Sequence, residues 1–457
     1  MDAALRQALV GFELGVLAYF LALNTLYLIF AIVAWVRLRQ YRRRWTPREL
    51  GAVMRSPATP GISIVAPAYN EEATLVESGR ALLLINYPKF EVVLVNDGSK
   101  DKTLEVAIRE FQLLRAPDGS AQPLTSKPVR GTYRSPAFPE LTIIDKENGG
   151  KADAINAGIN AARYPLVCVI DADSLLEEHA LTRAALPFIE DPTTIAAGGI
   201  IRIANGCRVE RGRVVDVGLP TQALPLFQVV EYFRAFLPGR VTHSAMNALL
   251  IISGAFGLFK KDAVVAAGGF RHDTVGEDME IVTRLHQIYR SRREPYRITF
   301  QPDPVCWTEA PDSLRVLARQ RNRWQRGTLQ VLGYYRYMLF NPRYGAVGMF
   351  AMPYYLFFEA LGPIVEITGY GVTIWAVSMG LVDWVFAELL FLVAIVYGTL
   401  NSLLALVLEE VSFRRYPRLR DLMKLALYSV LENFGYRQLT TWWRARGIVA
   451  YWRGEQG

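Results

Sequence analysis

An α/β domain with a mostly parallel sheet, joined to membrane-crossing and interfacial helices, is the fold class this sequence predicts. Three observations predict it. Short β-branched runs alternate with helical stretches between about residues 61 and 173. Long apolar segments flank that region on both sides. Acidic, glycine-rich clusters recur where the apolar runs end, which is where ligands bind in open α/β sheets.

The first apolar segment, FELGVLAYFLALNTLYLIFAIVAWV (12–36), exceeds the roughly 20 residues that cross a bilayer core. Arg6 is the only base before it and no small-residue cleavage site follows, so it reads as a retained anchor rather than a signal peptide. The basic run RLRQYRRRW (37–45) puts its far end on the cytoplasmic side. ISIVAP (62–67), FEVVLVND (90–97), LTIID (141–145) and VCVIDAD (167–173) are the predicted strands, with helices near 71–84, 102–113 and 151–162. The Pro, Ser and Gly-rich stretch between Leu113 and Glu140 predicts a long loop.

After Arg343 the chain turns apolar again. Residues 346–380 are interrupted by Pro353, Glu359, Pro363 and Glu366, so their first part is expected at the interface or inside a bundle and their later part across the membrane. Residues 385–408 give a cleaner crossing, and basic loops on both sides of the pair fit an out-and-back hairpin. Residues 422–447 mix apolar and basic groups and carry adjacent tryptophans, the pattern of an interfacial helix. The expected organisation is an anchor and basic flank over 1–46, a catalytic domain over 47–343, interfacial and transmembrane helices over 344–410, and a basic amphipathic region over 411–457.

Composition narrows the function. The chain has 457 residues, 51% of them hydrophobic, with a formal charge of +8. Much of the positive excess lies beside apolar segments, favouring a lipid surface over nucleic acid. Three widely spaced cysteines, with no C-x-x-C pair, argue against a disulfide framework or a zinc knuckle. No histidine spacing suits a zinc protease or deaminase.

The polar clusters are APAYNEE with Tyr69 and Glu71, VNDGS with Asp97, NGGKADAIN with Lys151 and Asp153, and DADS with Asp171 and Asp173. Further on come SGAF with Ser253, GED with Asp278, and QRNRW with Gln320, Arg323 and Trp324. Singly, each has an ordinary reading as a helix cap, a turn or a solvated face. As an ordered set over about residues 60 to 330, they resemble the membrane-embedded family 2 glycosyltransferases with the GT-A fold. That branch includes cellulose, chitin, hyaluronan and poly-N-acetylglucosamine synthases.

The resemblance implies roles. Asp97 would meet a uracil ring, with Tyr69 and Glu71 completing the nucleotide pocket and Lys151 and Asp153 lining it. Asp171 and Asp173 would hold Mg²⁺ or Mn²⁺ against the diphosphate, Asp173 most directly; a hard cation suits those oxygens. Asp278 would be the general base, although GED stands here where many relatives show T-E-D. Arg323 would bind the diphosphate, while Ser253, Gln320 and Trp324 would lie along the acceptor. The implied protein sits in the cell's inner membrane with its catalytic domain in the cytoplasm. It would transfer N-acetylglucosamine or glucose from a UDP-sugar, with inversion, to a growing polysaccharide. Single transfer to a lipid-linked or glycolipid acceptor is the alternative, and a nucleotide-sugar-sensing subunit without catalysis is a third reading. The resemblance also leaves room for an export partner or a homo-oligomer.

Overall fold

A computed structural model describes residues 3–42, 47–117, 122–381, 383–416 and 418–455. Its strands are β1 (Ile62–Ala68), β2 (Phe90–Asp97), β3 (Leu114–Ala116), β4 (Val129–Arg134), β5 (Leu141–Lys146), β6 (Leu166–Ile170), β7 (Leu175–Leu176), β8 (Thr194–Ile203), β9 (Arg208–Glu210), β10 (Arg213–Asp216), β11 (Phe256–Lys260) and β12 (Arg297–Thr308). Ten form one mixed sheet, in the order β3-β4-β5-β2-β1-β6-β11-β8-β12-β7, and β9 pairs with β10 alone. The first ten helices are α1 (Ala3–Arg42), α2 (Pro47–Arg55), α3 (Leu75–Leu83), α4 (Thr103–Glu110), α5 (Lys151–Ala161), α6 (Ala180–Glu190), α7 (Ala223–Ala245), α8 (Lys261–Ala266), α9 (Glu277–Arg292) and α10 (Leu314–Tyr334).

Strand direction explains where the polar clusters meet. β5, β2, β1 and β6 run parallel, so their carboxyl ends make one edge carrying Lys146, Asp97, Tyr69 and Asp171. β11 is antiparallel to β6, with Phe256 opposite Ile170, which brings Ser253 and Gly254 to that same edge. β8 is antiparallel to β11 and β12 is parallel to β8, so Thr308 leaves there too and leads into α10.

The β6 sequence LVCVI is buried throughout because it lies in mid-sheet with both faces covered. On one face Ile62, Ile64 and Leu94 pack with Leu75, Leu82 and Phe111. On the other, Val65, Val93 and Val95 pack with Ile155 and Ile159 of α5. That approach needs Gly158, where an added Cβ would lie 2.3 Å from Val65 Cγ1.

Three expectations change. The stretch between Leu113 and Glu140 is not all loop: β3 and β4 extend the sheet edge, the alternating VRGTYR pairing with β5. The strand before the D-x-D pair stops at Ile170, and Ser174 N donates to Asp171 O at 3.0 Å, so Asp171 to Asp173 form a turn beyond the strand. The C-terminal segment is two helices, Leu419–Leu431 and Tyr436–Trp452, separated at Gly435, whose φ of 109° few other residues adopt. The second of them packs closely on α10, where a Cβ at Gly447 would lie 2.9 Å from Asn322 O.

Among the described residues, three helical stretches are long and apolar enough to cross a membrane: Gln7–Tyr41, Val347–Ser378 and Trp384–Phe413. The second stays helical past Pro353 by widening into π turns at Val347–Ala351 and Tyr355–Ala360. Another π turn, Leu392–Val396, lies next to a polar contact between spans. Asn24 Nδ2 donates to Val393 O at 2.9 Å, and Asn401 Nδ2 donates to Asn24 O at 3.1 Å. Replacing Asn401 by Leu is expected to cost about 0.5 to 1.5 kcal/mol, read as an earlier unfolding midpoint in detergent. The fully buried Arg202 of β8 pairs with Glu409 of the third apolar helix, tying sheet to helix.

Candidate active site

The reactive cluster forms where the carboxyl ends of β6 and β1 face the amino ends of β11 and α9. Lys151, in the first turn of α5, donates through Nζ to Asp171 Oδ1, and the same Nζ lies 3.8 Å from Glu277 Oε1. Gly254 N donates to Asp278 Oδ2 at 3.1 Å, and Gly254 O is 3.5 Å from Lys151 Nζ. One lysine and one glycine thus connect the D-x-D turn to the proposed base. Asp278 Oδ1 also accepts from Met279 N at 2.8 Å, so the start of α9 fixes its carboxylate.

Electrostatics supports a site built for a cation. Burial raises the Asp173 carboxyl above its ordinary pKa, and the neighbouring charges of Asp171 and Glu71 add to the rise. Burial and then Asp278 raise Glu277 likewise, with Lys151 and Arg323 pulling it back. Removal from water works against the Lys151 ammonium, but Asp171, Glu277 and Asp278 together raise its pKa. The acids outnumber the bases here, which favours a divalent cation. Asp171 and Asp173 carry hard oxygen donors of the kind that suits Mg²⁺ or Mn²⁺. Among the described residues, no group of three or more His, Cys, Asp or Glu closes around an ion by itself.

Gln320, Arg323 and Trp324 share one face of α10. Gln320 Oε1 is buried without a hydrogen-bond partner among the described residues, and Trp324 is 40% exposed. Arg321 packs its guanidinium 4.4 Å from the Trp324 ring centroid and pairs with Glu231 at 2.7 Å, which fixes the ring. Ser253 stands beside Gly254 at the mouth of β11. Behind Asp278, α9 is anchored by His286, whose Nε2 reaches Leu249 O at 2.9 Å and whose Nδ1 meets Tyr296 OH at 2.6 Å. Burial pushes that imidazole down to about 4, so it is neutral at pH 7.

Gly254→Ala is an informative variant. Its Cβ would lie 3.0 Å from Lys151 Nζ and 3.7 Å from Asp278 Oδ2. The expected result is an unchanged unfolding midpoint and about tenfold slower transfer, since a flexible ammonium yields but leaves Asp171. Activity equal to wild type would contradict that contact's importance.

Not every residue singled out from sequence opens onto this cluster. Tyr69 is exposed at its rim, and Glu71 accepts from Thr74 Oγ1 while adding its charge to Asp173. Asp97 and Asp153 instead turn inward onto the buried Lys146, at 2.7 and 2.5 Å. The two acids that interrupt the second apolar stretch are engaged as well: Glu359 pairs with Arg444 at 3.0 Å and Glu366 accepts from Thr441 Oγ1 at 2.8 Å. Both border a polar cavity of about 80 Å³, room for two or three waters rather than a sugar. Sequence reasoning missed Glu231 and His286, which carry no motif and act through distant partners, and it passed over Arg321 inside QRNRW, whose pairing with Glu231 is not local.

A GT-A-like sheet, an acidic turn after a central strand and a facing aspartate define a nucleotide-sugar transferase class. The chain belongs to the family 2 glycosyltransferases: residues 63–264 match Glycosyl transferase family 2, and residues 166–407 match Glycosyl transferase family group 2. It is similar to the poly-beta-1,6-N-acetyl-D-glucosamine synthase of Staphylococcus aureus (strain COL), with 31% identity over 273 residues, 60% of this chain and 55% of that protein. The same enzyme of Staphylococcus epidermidis is 29% identical over 273 residues. The chain spans about half the length of the curated relatives it matches. Among solved structures, the mannosyltransferase PcManGT from Pyrobaculum calidifontis in complex with GDP-Man and Mn²⁺ shares the fold. Its TM-score is 0.53 at 18% identity, covering 96% of this chain and all of that one.

Proposed function

We propose that the protein is an inverting glycosyltransferase that moves a sugar from a UDP-sugar to the hydroxyl of a growing, membrane-associated polysaccharide. The observation that carries this reading is the continuity from Asp171 through Lys151 and Gly254 to Asp278. Phosphate-facing acids and a lone base thereby share one reaction centre. Asp278 takes the proton of the acceptor hydroxyl as its oxygen attacks the anomeric carbon, and the nucleoside diphosphate leaves from the opposite face with the bonding electron pair. Lys151 and Arg323 meet the charge gathering on the departing diphosphate. A divalent cation held by Asp173 and Asp171 would supply further neutralisation of that leaving group. Asp278 needs no nucleophilic partner, since a single displacement inverts the centre and gives a β-linkage from an α-linked donor.

N-acetylglucosamine is the first donor to test, because the Staphylococcus relatives are named for a polymer of it. Detergent-purified protein would be incubated with UDP-N-acetylglucosamine, UDP-glucose and, as the donor named with the mannosyltransferase neighbour, GDP-mannose. With Mg²⁺ or Mn²⁺ present, the reading expects nucleotide release from a UDP-sugar and a ladder of polymer. No release from any UDP-sugar would overturn it.

One observation favours the alternative of single transfer to a lipid-linked acceptor. An apolar cavity of about 630 Å³ lies among the three apolar helices, lined by Val16, Phe20, Ile374, Phe386 and Leu390. Arg437 and Gln438 also border it. Such a cleft suits a hydrocarbon tail, and a product of one sugar on lipid would select this reading.

A further inference from the structure

The loop that leads into Asp278 is strapped to the helix that carries QRNRW. Gln320, Arg323 and Trp324 lie on one stripe of α10, and at about 3.6 residues per turn that stripe continues through Gly327, Gln330 and Tyr334. The continuation grips residues 271–276. Gln330 Oε1 accepts from Val275 N at 3.0 Å and from Thr274 Oγ1 at 3.0 Å. Thr274 Oγ1 in turn accepts from Gly276 N at 3.1 Å, so the donors of Thr274, Val275 and Gly276 all lead to one amide oxygen. A backbone N–H can only donate, which turns the oxygen of Gln330, not its nitrogen, toward the loop. Tyr334 OH donates to Asp273 O at 3.0 Å, and the Arg271 guanidinium lies 4.7 Å from the Tyr334 ring centroid. Tyr335 OH donates at 2.6 Å to Glu280 Oε1, in the first turn of α9.

Backbone meets backbone at the head of this strap. A Cβ on Gly276 would lie 3.0 Å from Gly327 Cα, and one on Gly327 would lie 3.0 Å from Gly276 Cα. Gly276 has φ −123°, ordinary for any residue, so its lack of a side chain serves this approach and not a turn. We infer that Gln330 is a positioning residue for the base: together with the Gly276–Gly327 contact it sets where the start of α9, and hence Asp278, stands relative to the Gln320, Arg323 and Trp324 face. This rests on the reading of Asp278 as the base and of that face as acceptor-binding. The Asp278 carboxylate is oriented by Gly254 N and Met279 N, so the remaining variable is the place of the α9 start itself. A misplacement of about 1 Å can cost about 100-fold in rate. α10 is held independently, by Glu231 at Arg321 and by the helix Tyr436–Trp452 at Asn322, so cutting the strap moves the loop and leaves Arg323 in place.

The test compares Gln330→Met, Gln330→Glu and Gly327→Ala with wild type, each as the purified whole chain in detergent with UDP-N-acetylglucosamine and Mn²⁺. Sugar transferred to glycan, sugar released to water, donor KM and calorimetric UDP affinity would be measured in parallel. Gln330→Met removes the acceptor oxygen but keeps the length of the side chain. It is expected to slow transfer about 10- to 100-fold, with donor KM and UDP affinity within about twofold of wild type. Donor hydrolysis, in which the oxygen of water bonds the anomeric carbon and UDP leaves with the electron pair, needs no aligned acceptor sugar. It should fall less, so the ratio of hydrolysis to transfer rises about tenfold.

Gln330→Glu keeps an oxygen facing Val275 N and should recover transfer to within about threefold of wild type. Gly327→Ala suits a helix and leaves the hydrogen bonds of the strap intact, but its Cβ presses the two backbones apart, and it is expected to raise the same ratio about threefold. An unchanged ratio in Gln330→Met, whether its rates stay at wild type or fall together as in a merely destabilised enzyme, overturns the inference. So does a Gln330→Glu variant that recovers nothing. Wild type that releases no UDP would remove the transferase reading itself. Hydrogen exchange at the amides of Val275 and Gly276, expected to speed up about tenfold in Gln330→Met, then decides the strap, and exchange at the wild-type rate would show that it does not hold the loop.

Discussion

Asp278→Asn is expected to slow sugar transfer by about 100- to 10,000-fold, the usual contribution of a positioned general base, while UDP binding changes less than threefold. The amide keeps the shape, and its oxygen still accepts from Gly254 N, now at 3.1 Å from Asp278 Oδ2. What disappears is the basic electron pair that receives the acceptor proton. Because the Asp278 carboxylate is held by Gly254 N and Met279 N, contacts that the amide oxygen can keep, the nucleotide pocket has no reason to loosen. Steady-state rates with calorimetric UDP affinities would check this. A parallel loss of binding and rate would move Asp278 to the donor pocket.

Asp173→Asn is expected to do the reverse: to weaken metal-dependent UDP binding by about 100-fold, roughly 2.7 kcal/mol, and also to raise the unfolding midpoint of metal-free protein. The sign follows from its raised carboxyl, caused first by burial and then by Asp171 and Glu71. The folded protein holds that proton more tightly than the unfolded chain, so stability falls as pH climbs from the ordinary carboxyl pKa through the raised one. Above that window the cost is complete, and asparagine removes it. Wild type should therefore gain stability when Mn²⁺ is added, whereas Asp173→Asn should gain little. Thermal melts at pH 4 and pH 7, with and without the ion, would show it. A variant less stable than wild type at pH 7 without metal would contradict the charge argument.

These expectations grew from motifs, and the legible part of the chain is the part whose period or spacing is local. The parallel strands announced themselves by β-branched runs, and their shared edge followed from parallel direction alone. The strands β3 and β4 did not, because a proline-rich stretch hides pairing that depends on β5 across the sheet. Likewise α7 is unremarkable by amphipathicity, being packed between α1 and the sheet, where Thr242 Oγ1 donates to Phe30 O at 3.2 Å. Within the site, Asp171, Lys151 and Asp278 were visible as motif residues, but their connection through Gly254 was not. Asp97 shows the limit most clearly. Its place after β2 matched the resemblance, yet the direction of its carboxylate depends on Lys146, 49 residues on.

The central claim is that diphosphate-facing acids and the lone base Asp278 act on opposite faces of one anomeric carbon. Proton NMR of the first product formed from an α-linked UDP-sugar tests it most directly. A β coupling constant at the new linkage is the predicted result. An α-linked product would require a second, nucleophilic displacement and would contradict the division of labour assigned to Asp171, Asp173 and Asp278.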